Sequence, residues 1–240
     1  MTYCVGLLLK AGLVLLADTR TNAGLDNIST YRKMFVFEEP GERVIAMMTA
    51  GNLSVTQTTL ARLNEAINDP DSTHETSIMK SESMLDVATL VGDMLSRVTA
   101  ETQSRMDRMN QAAAASMIVA GQRAGGKMRL FLIYPEGNFI EATEDTPYLQ
   151  IGEHKYGKPI LDRVITSDTP LEEARKAVLL SMDSTLRSNL SVGMPLDMVV
   201  IEHDALRVTE QRRIEANDEH FAAMSAAWSQ ALRDAFAQIA

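Results

Sequence analysis

The chain has 240 residues, 45% of them apolar and 23% charged, with a net charge of −9. That length favours one domain over 1–240, burying roughly 70–75% of its unfolded surface without staples. The acidic balance offers no basic patch for nucleic acid, and the longest apolar runs, Val5–Leu9 and Leu13–Ala17, fall far short of the ~20 residues a membrane helix needs.

The first fifty residues read as β structure. Tyr3–Leu9 and Leu13–Asp18 are apolar runs around Lys10-Ala11-Gly12, a three-residue hairpin signal. They are apolar throughout, as expected of strands covered on both faces. A polar turn over Asn22–Asn27 precedes a second pair, Met34–Phe37 and Val44–Met48, punctuated by Pro40-Gly41. The single Cys4 reads as a buried strand residue. It has no internal partner, which fits a reducing cytoplasm.

Leu53–Ile67 has helical spacing behind Asn52, an N-cap residue type. A polar loop over Asn68–Ser77 contains Pro70. Met84, Val87, Val91, Met94 and Val98 then mark a second amphipathic helix, extending to about Met109. Strands return at Met117–Ala120 and Met128–Tyr134 around Gly125-Gly126, and again from Phe139 after the turn at Pro135–Asn138. Helices are expected over Tyr156–Ile165 and Leu171–Leu190, the latter with Ser167-Asp168-Thr169 available as a cap before Pro170. Leu196–Ile201 and Arg207–Ile214 are the last strands. A final helix carries Phe221, Met224, Trp228, Leu232, Phe236 and Ile239 on one face, which could pack internally or on a neighbouring subunit.

Grouped strands and grouped helices argue against an alternating doubly wound sheet. Strands buried on both faces need covers on both sides. The simplest arrangement is α+β, a four-layer αββα sandwich.

In that arrangement the hairpin brings Thr2, at the start of the first strand, beside Asp18, at the end of the second. Lys33 opens the third strand and Gly51 closes the fourth, so all four can meet at one sheet end. If Met1 is removed, Thr2 carries its own base, since an α-amine titrates near ~8. Lys33 beside that amine disfavours its protonation, Asp18 pairs with Lys33, and Gly51 can admit a developing oxyanion. Taken singly, Lys33 reads as a solvated charge, Asp18 as a turn residue and Gly51 as a helix-approach glycine. The constellation gives them their meaning.

Thr2, Ala17-Asp18-Thr19-Arg20, Lys33 and Thr49-Ala50-Gly51-Asn52 together resemble proteasome-type peptidases of the N-terminal-nucleophile hydrolase superfamily. Met128–Gly137 and Arg187–Gly193 extend the likeness over nearly the whole chain. Thr2–Val5, Asp18–Gly24 and Ile151-Gly152-Glu153 resemble most the Anbu branch, the bacterial ancestral β subunits. The resemblance implies the αββα sandwich, with Thr2 as nucleophile, Asp18 and Lys33 as its support, Gly51 as oxyanion donor and Ser191 near the threonine amine. It places Thr21 and Met48 in a specificity pocket. Two positions depart from the family pattern. Ser188 stands where the family has an aspartate, and Gly152-Glu153-His154 where it has Gly-Ser-Gly. Glu153 is either a substitute hydrogen-bond partner or an exposed loop acid.

The implied activity is an N-terminal threonine peptidase or amidohydrolase, acting on peptides or unfolded protein in the cytoplasm. It would work within a large homo-oligomer, a ring or an open spiral. The alternative is an assembly subunit that keeps the fold with little activity. No cofactor is expected: the four histidines lack ligand-like spacing and no GxxxxGK[ST] loop occurs. Any ATP-driven unfolding would come from an unidentified partner that delivers substrate.

Overall fold

A computed structural model describes residues 2–22, 28–106 and 113–239. The first sheet is built from β1 (Tyr3–Leu9), β2 (Gly12–Asp18), β10 (Tyr148–Gly152), β11 (Leu196–Glu202) and β12 (Glu210–Ile214), in the order β10-β1-β2-β11-β12. The second contains β5 (Met34–Glu39), β6 (Arg43–Gly51), β7 (Ala115–Arg123), β8 (Arg129–Ile133) and β9 (Phe139–Glu141), in chain order. A ribbon of β3 (Arg20–Asn22) and β4 (Ile28–Thr30) stands apart from both. All pairings are antiparallel.

Strand periodicity explains the layers. Successive side chains point to opposite faces. In β1 and β2, Tyr3, Val5, Leu7, Val14 and Leu16 pack against α3 (Lys158–Val164) and α4 (Leu171–Ser188). Cys4, Leu13, Leu15 and Ala17 face the second sheet instead, meeting Met34, Val44, Ala46, Met48 and Ile118. Ile45 and Met47 of β6 point the other way, onto α1 (Leu53–Asn68) and α2 (Met84–Met106). All but Met34, at 5% exposure, are removed from water completely, and the larger aliphatic ones are worth about 1.5–3 kcal/mol apiece. The result is the expected four-layer αββα sandwich. Cys4 is fully buried, and burial pushes its thiol well above the usual range, leaving it an inert strand residue.

Several local expectations are refined. The first hairpin turns on Lys10-Ala11 alone, and Gly12 already belongs to β2, paired with Leu9. Asn52 caps α1 as expected, its side chain accepting from the Val55 N–H at 3.2 Å. Helix α4 has Pro170 at its N-cap with no side-chain cap; Thr169 instead accepts from the Thr166 N–H at 2.9 Å. Glu172 and Glu173 in the first turn supply the favourable charge there. The expected extension of α2 to Met109 and the turn over 23–27 lie outside the described residues, as does Met1. The strand over Tyr148–Gly152 has no counterpart in the periodicity reading.

The last helix, α5 (Glu219–Gln238), is capped by Asp218, which accepts from the Phe221 N–H at 2.8 Å. Only its first part, through Phe221 and Met224, packs on the core. Leu232, Phe236 and Ile239, just beyond its end, remain exposed. Among the described residues no helix is long and apolar enough to cross a membrane.

Candidate active site

The hairpin register, with Cys4 opposite Ala17, places Thr2 and Asp18 at one sheet edge. Asp18 is fully buried there. Its Oδ1 accepts the Tyr3 main-chain N–H at 3.1 Å, and its Oδ2 accepts the Gly193 N–H at 3.2 Å. Lys33 Nζ donates to Asp18 Oδ1 at 2.7 Å and to the Arg20 carbonyl at 2.6 Å. Burial pushes the Asp18 carboxyl above the usual range, opposed by Lys33 and then by the two amides.

The second sheet contributes its own edge. Lys33 stands just before β5, and its carbonyl accepts the Thr49 N–H at 3.0 Å. That bond ties the lysine to the end of β6, two residues before Gly51. Gly51 has φ +104°, a conformation favouring glycine, and a Cβ there would lie 2.5 Å from the Ala114 carbonyl oxygen. Gly152 closes the other side of Thr2, with φ +81° and no room for a Cβ against the Thr2 carbonyl. That carbonyl accepts the Glu153 N–H at 2.7 Å.

These residues surround a cavity of about 470 Å³. Thr2, Thr21, Lys33 and Gly51 line it, with Thr49, Ala50, Leu53, Thr56, Gly152 and Glu153. Asp18 lies beneath, reached through Lys33 and Tyr3. The structure thus brings Thr2, Asp18, Lys33, Gly51 and Thr21 together.

It does not bring Met48 to the cavity. Met48 lies on the same face of β6 as Ala50 but two residues further from the strand end, so its side chain is fully buried between the sheets, and Thr49 and Ala50 supply that wall. Ser191 is half-buried in the loop after α4 and is not a lining residue. Its N–H donates to Asn189 Oδ1 at 2.9 Å, while Gly193 of the same loop reaches Asp18. Ser188 ends α4 and is exposed.

Sequence reasoning missed Leu53 and Thr56. Both belong to the first turn of α1, directly after Gly51, and their spacing of three puts them on one helix face. The amides of Tyr3 and Gly193 carried no side-chain signal at all. Among the described residues no group of histidine, cysteine and carboxylate side chains could hold a metal ion.

Two antiparallel sheets between helix layers, entered by a threonine at the first strand and a buried aspartate–lysine pair beneath it, define the fold of the N-terminal-nucleophile hydrolases. The sequence pattern of the proteasome subunit family matches residues 2–201, and the chain belongs to that family. It is similar over nearly its whole length to solved structures of Anbu, the ancestral β subunit. Anbu from Yersinia bercovieri is 45% identical, covering 99% of this chain and 97% of its own, with a TM-score of 0.92. A Gly-1 mutant of Anbu from Hyphomicrobium sp. strain MC1 is 50% identical, covering 100% and 98%, with a TM-score of 0.92. The helical assembly of the Anbu complex from Pseudomonas aeruginosa is 45% identical, covering 99% and 97%, with a TM-score of 0.93. No curated protein matches the chain.

Proposed function

We propose that the chain is a threonine-type peptidase or amidohydrolase whose nucleophile is Thr2 after removal of Met1. The observation that carries this reading is the buried Lys33–Asp18 contact of 2.7 Å, with Lys33 and Thr2 lining one cavity. Thr2 Oγ attacks the amide carbonyl of a peptide while the Thr2 α-amine takes the Oγ proton and later gives it to the leaving amine. The Lys33 charge disfavours protonation of that amine. Asp18 fixes Lys33 and, through the Tyr3 amide, the residue that follows the nucleophile. Gly51 leaves its backbone open to the oxyanion, and losing such a donor costs about 10²–10³ in rate. Ser191 is assigned to the amine's surroundings by family likeness alone.

The reading includes self-assembly in the cytoplasm, as a ring or an open spiral, around peptide or unfolded-protein substrate delivered by an unidentified partner. Its support is the exposed stripe on α5, together with a relative described as a helical assembly. The test is intact-mass measurement followed by labelling with a threonine-directed electrophile. A chain lacking Met1, labelled at Thr2 and silenced by Thr2→Ala, is the expected result; retention of Met1 refutes it. The alternative is an assembly subunit without productive catalysis. It draws on exposed Ser188 at the family's aspartate position, and labelling of the processed wild type excludes it.

A further inference from the structure

Glu153 is neither a loop acid turned to solvent nor a strand residue turned to the core. The register that sets Tyr3 opposite Gly152 continues one step to Thr2 and Glu153, whose N–H holds the Thr2 carbonyl at 2.7 Å. That main-chain bond holds Glu153 directly beside Thr2. Gly152, with φ +81°, turns the chain so that Glu153 and Thr2 line the same cavity. The Glu153 side chain is only 16% exposed. Its one ion pair among the described residues is with Lys155, at 3.9 Å, on a side chain 67% exposed. A contact that long, to a lysine that exposed, holds the carboxylate only weakly.

We propose that the Glu153 carboxylate is the counter-charge and hydrogen-bond acceptor of the Thr2 α-amine. This inference rests on the Thr2 nucleophile reading above. The amine then lies between opposed charges. Lys33, on the β5 side, drives it towards the neutral base, and Glu153, on the β10 side, holds it as the ammonium. Asp18, at the end of β2, spends its oxygens on Lys33 and on the Tyr3 and Gly193 amides. The Arg20 guanidinium donates away to the Leu190 carbonyl at 2.9 Å. His154 shares the Glu153 loop, its ring nitrogen 3.1 Å from the Gly152 carbonyl, so its protonation needs a separate control. The balance between Lys33 and Glu153 sets the pH at which the nucleophile acquires its base.

The experiment follows the rate of acylation by a peptide β-lactone against pH. Thr2 Oγ opens the ring to form an ester. Its proton passes through the amine to the released ring oxygen, which leaves as a hydroxyl. The acid limb reports the amine becoming neutral. An opposite charge within about 4–6 Å shifts a titration by 1–3 units. Glu153→Gln is therefore expected to move the acid limb down by about one pH unit, raising the rate up to ~10-fold below it. Glu153→Ala is expected to match it, because charge carries the effect, and it serves if the glutamine variant does not fold. His154→Gln is expected to leave the limb in place. A lower amplitude with an unmoved limb in both Glu153 variants overturns the proposal and assigns Glu153 a structural role. Absence of labelling in wild type lacking Met1 overturns the nucleophile reading itself, a result distinguishable from the first.

Discussion

The phenolic oxygen of Tyr3 lies 2.5 Å from Oγ of Ser181, and both side chains are fully buried. Gln150 Nε2 adds a donor to the same phenol at 2.6 Å. Gly157 makes the room, since a Cβ there would fall 2.2 Å from Ser181 Oγ. Burial pushes the phenol far above its usual range, so it stays protonated. Tyr3, the residue after Thr2, is thus clamped at its side chain by α4 and β10, and at its amide by Asp18.

Removing that phenol should therefore be felt twice. Tyr3→Phe leaves Ser181 and Gln150 short of a partner, a cost of about 1–3 kcal/mol. We expect a lower thermal midpoint together with slower labelling of Thr2. Unchanged labelling at full stability loss shows that the clamp serves the core alone.

Lys33→Met strands Asp18 as a buried, uncompensated charge, which should cost about 3–5 kcal/mol at neutral pH. The double variant Asp18→Asn, Lys33→Met removes both charges and should recover part of that loss, read as urea midpoints. Both should abolish labelling. A double variant no more stable than Lys33→Met alone contradicts a pairwise origin for the loss.

Because burial raises the Asp18 titration above the unfolded value of about 3.9, the folded chain keeps a proton that the unfolded chain releases. The stability this contributes is full below the unfolded value and is lost as pH rises through the folded one. The stability of wild type relative to Asp18→Asn should thus fall across that window, measured by denaturant midpoints at several pH values. A rise instead means that Lys33 and the two amides outweigh burial.

Gly152→Ala sets a methyl 1.9 Å from the Thr2 carbonyl oxygen, so either β10 or Thr2 must shift. A displacement of about 1 Å at a reacting centre can cost 10² in rate. We expect at least that loss of acylation, with modest loss of stability, from single-turnover kinetics. Gly41→Ala, where a Cβ meets nothing within 4 Å but φ is +85°, is the control for backbone strain without collision.

Leu232→Glu with Phe236→Glu tests α5. Both side chains are more than half exposed, so the isolated chain should lose little, about 0.5 kcal/mol or less per site. A fall in particle mass by light scattering is expected if α5 packs on a second copy. An intact assembly removes α5 from that role.

The layers were legible because their signal is periodic. Runs such as Cys4–Leu9 and Leu13–Ala17 are apolar at every phase, as a strand covered on both faces requires, and the hairpin turn between them marks them as strands. Thr2, Asp18, Lys33 and Gly51 were legible because each sits at the end of such a run. Met48 misled because its position two residues short of Ala50, on the same face, leaves it buried between the sheets. The strand over Tyr148–Gly152 escaped because it is a short edge strand with mixed pattern, Tyr-Leu-Gln-Ile-Gly. The orientation of Glu153 escaped with it, since that strand sets it. The Tyr3 and Gly193 amides were invisible because any residue type supplies a main-chain donor.

The Gly193–Asp18 bond has a consequence for synthesis. The two residues lie 175 positions apart, and β11, the neighbour of β2, follows later still. A nascent chain that has emerged only through α4 has Thr2, Asp18, Lys33 and Gly51 in hand but leaves Oδ2 without its amide. The Asp18 cluster therefore stays unfinished until most of the chain has been translated, and an incomplete polypeptide on the ribosome carries a buried carboxylate short of one of its donors.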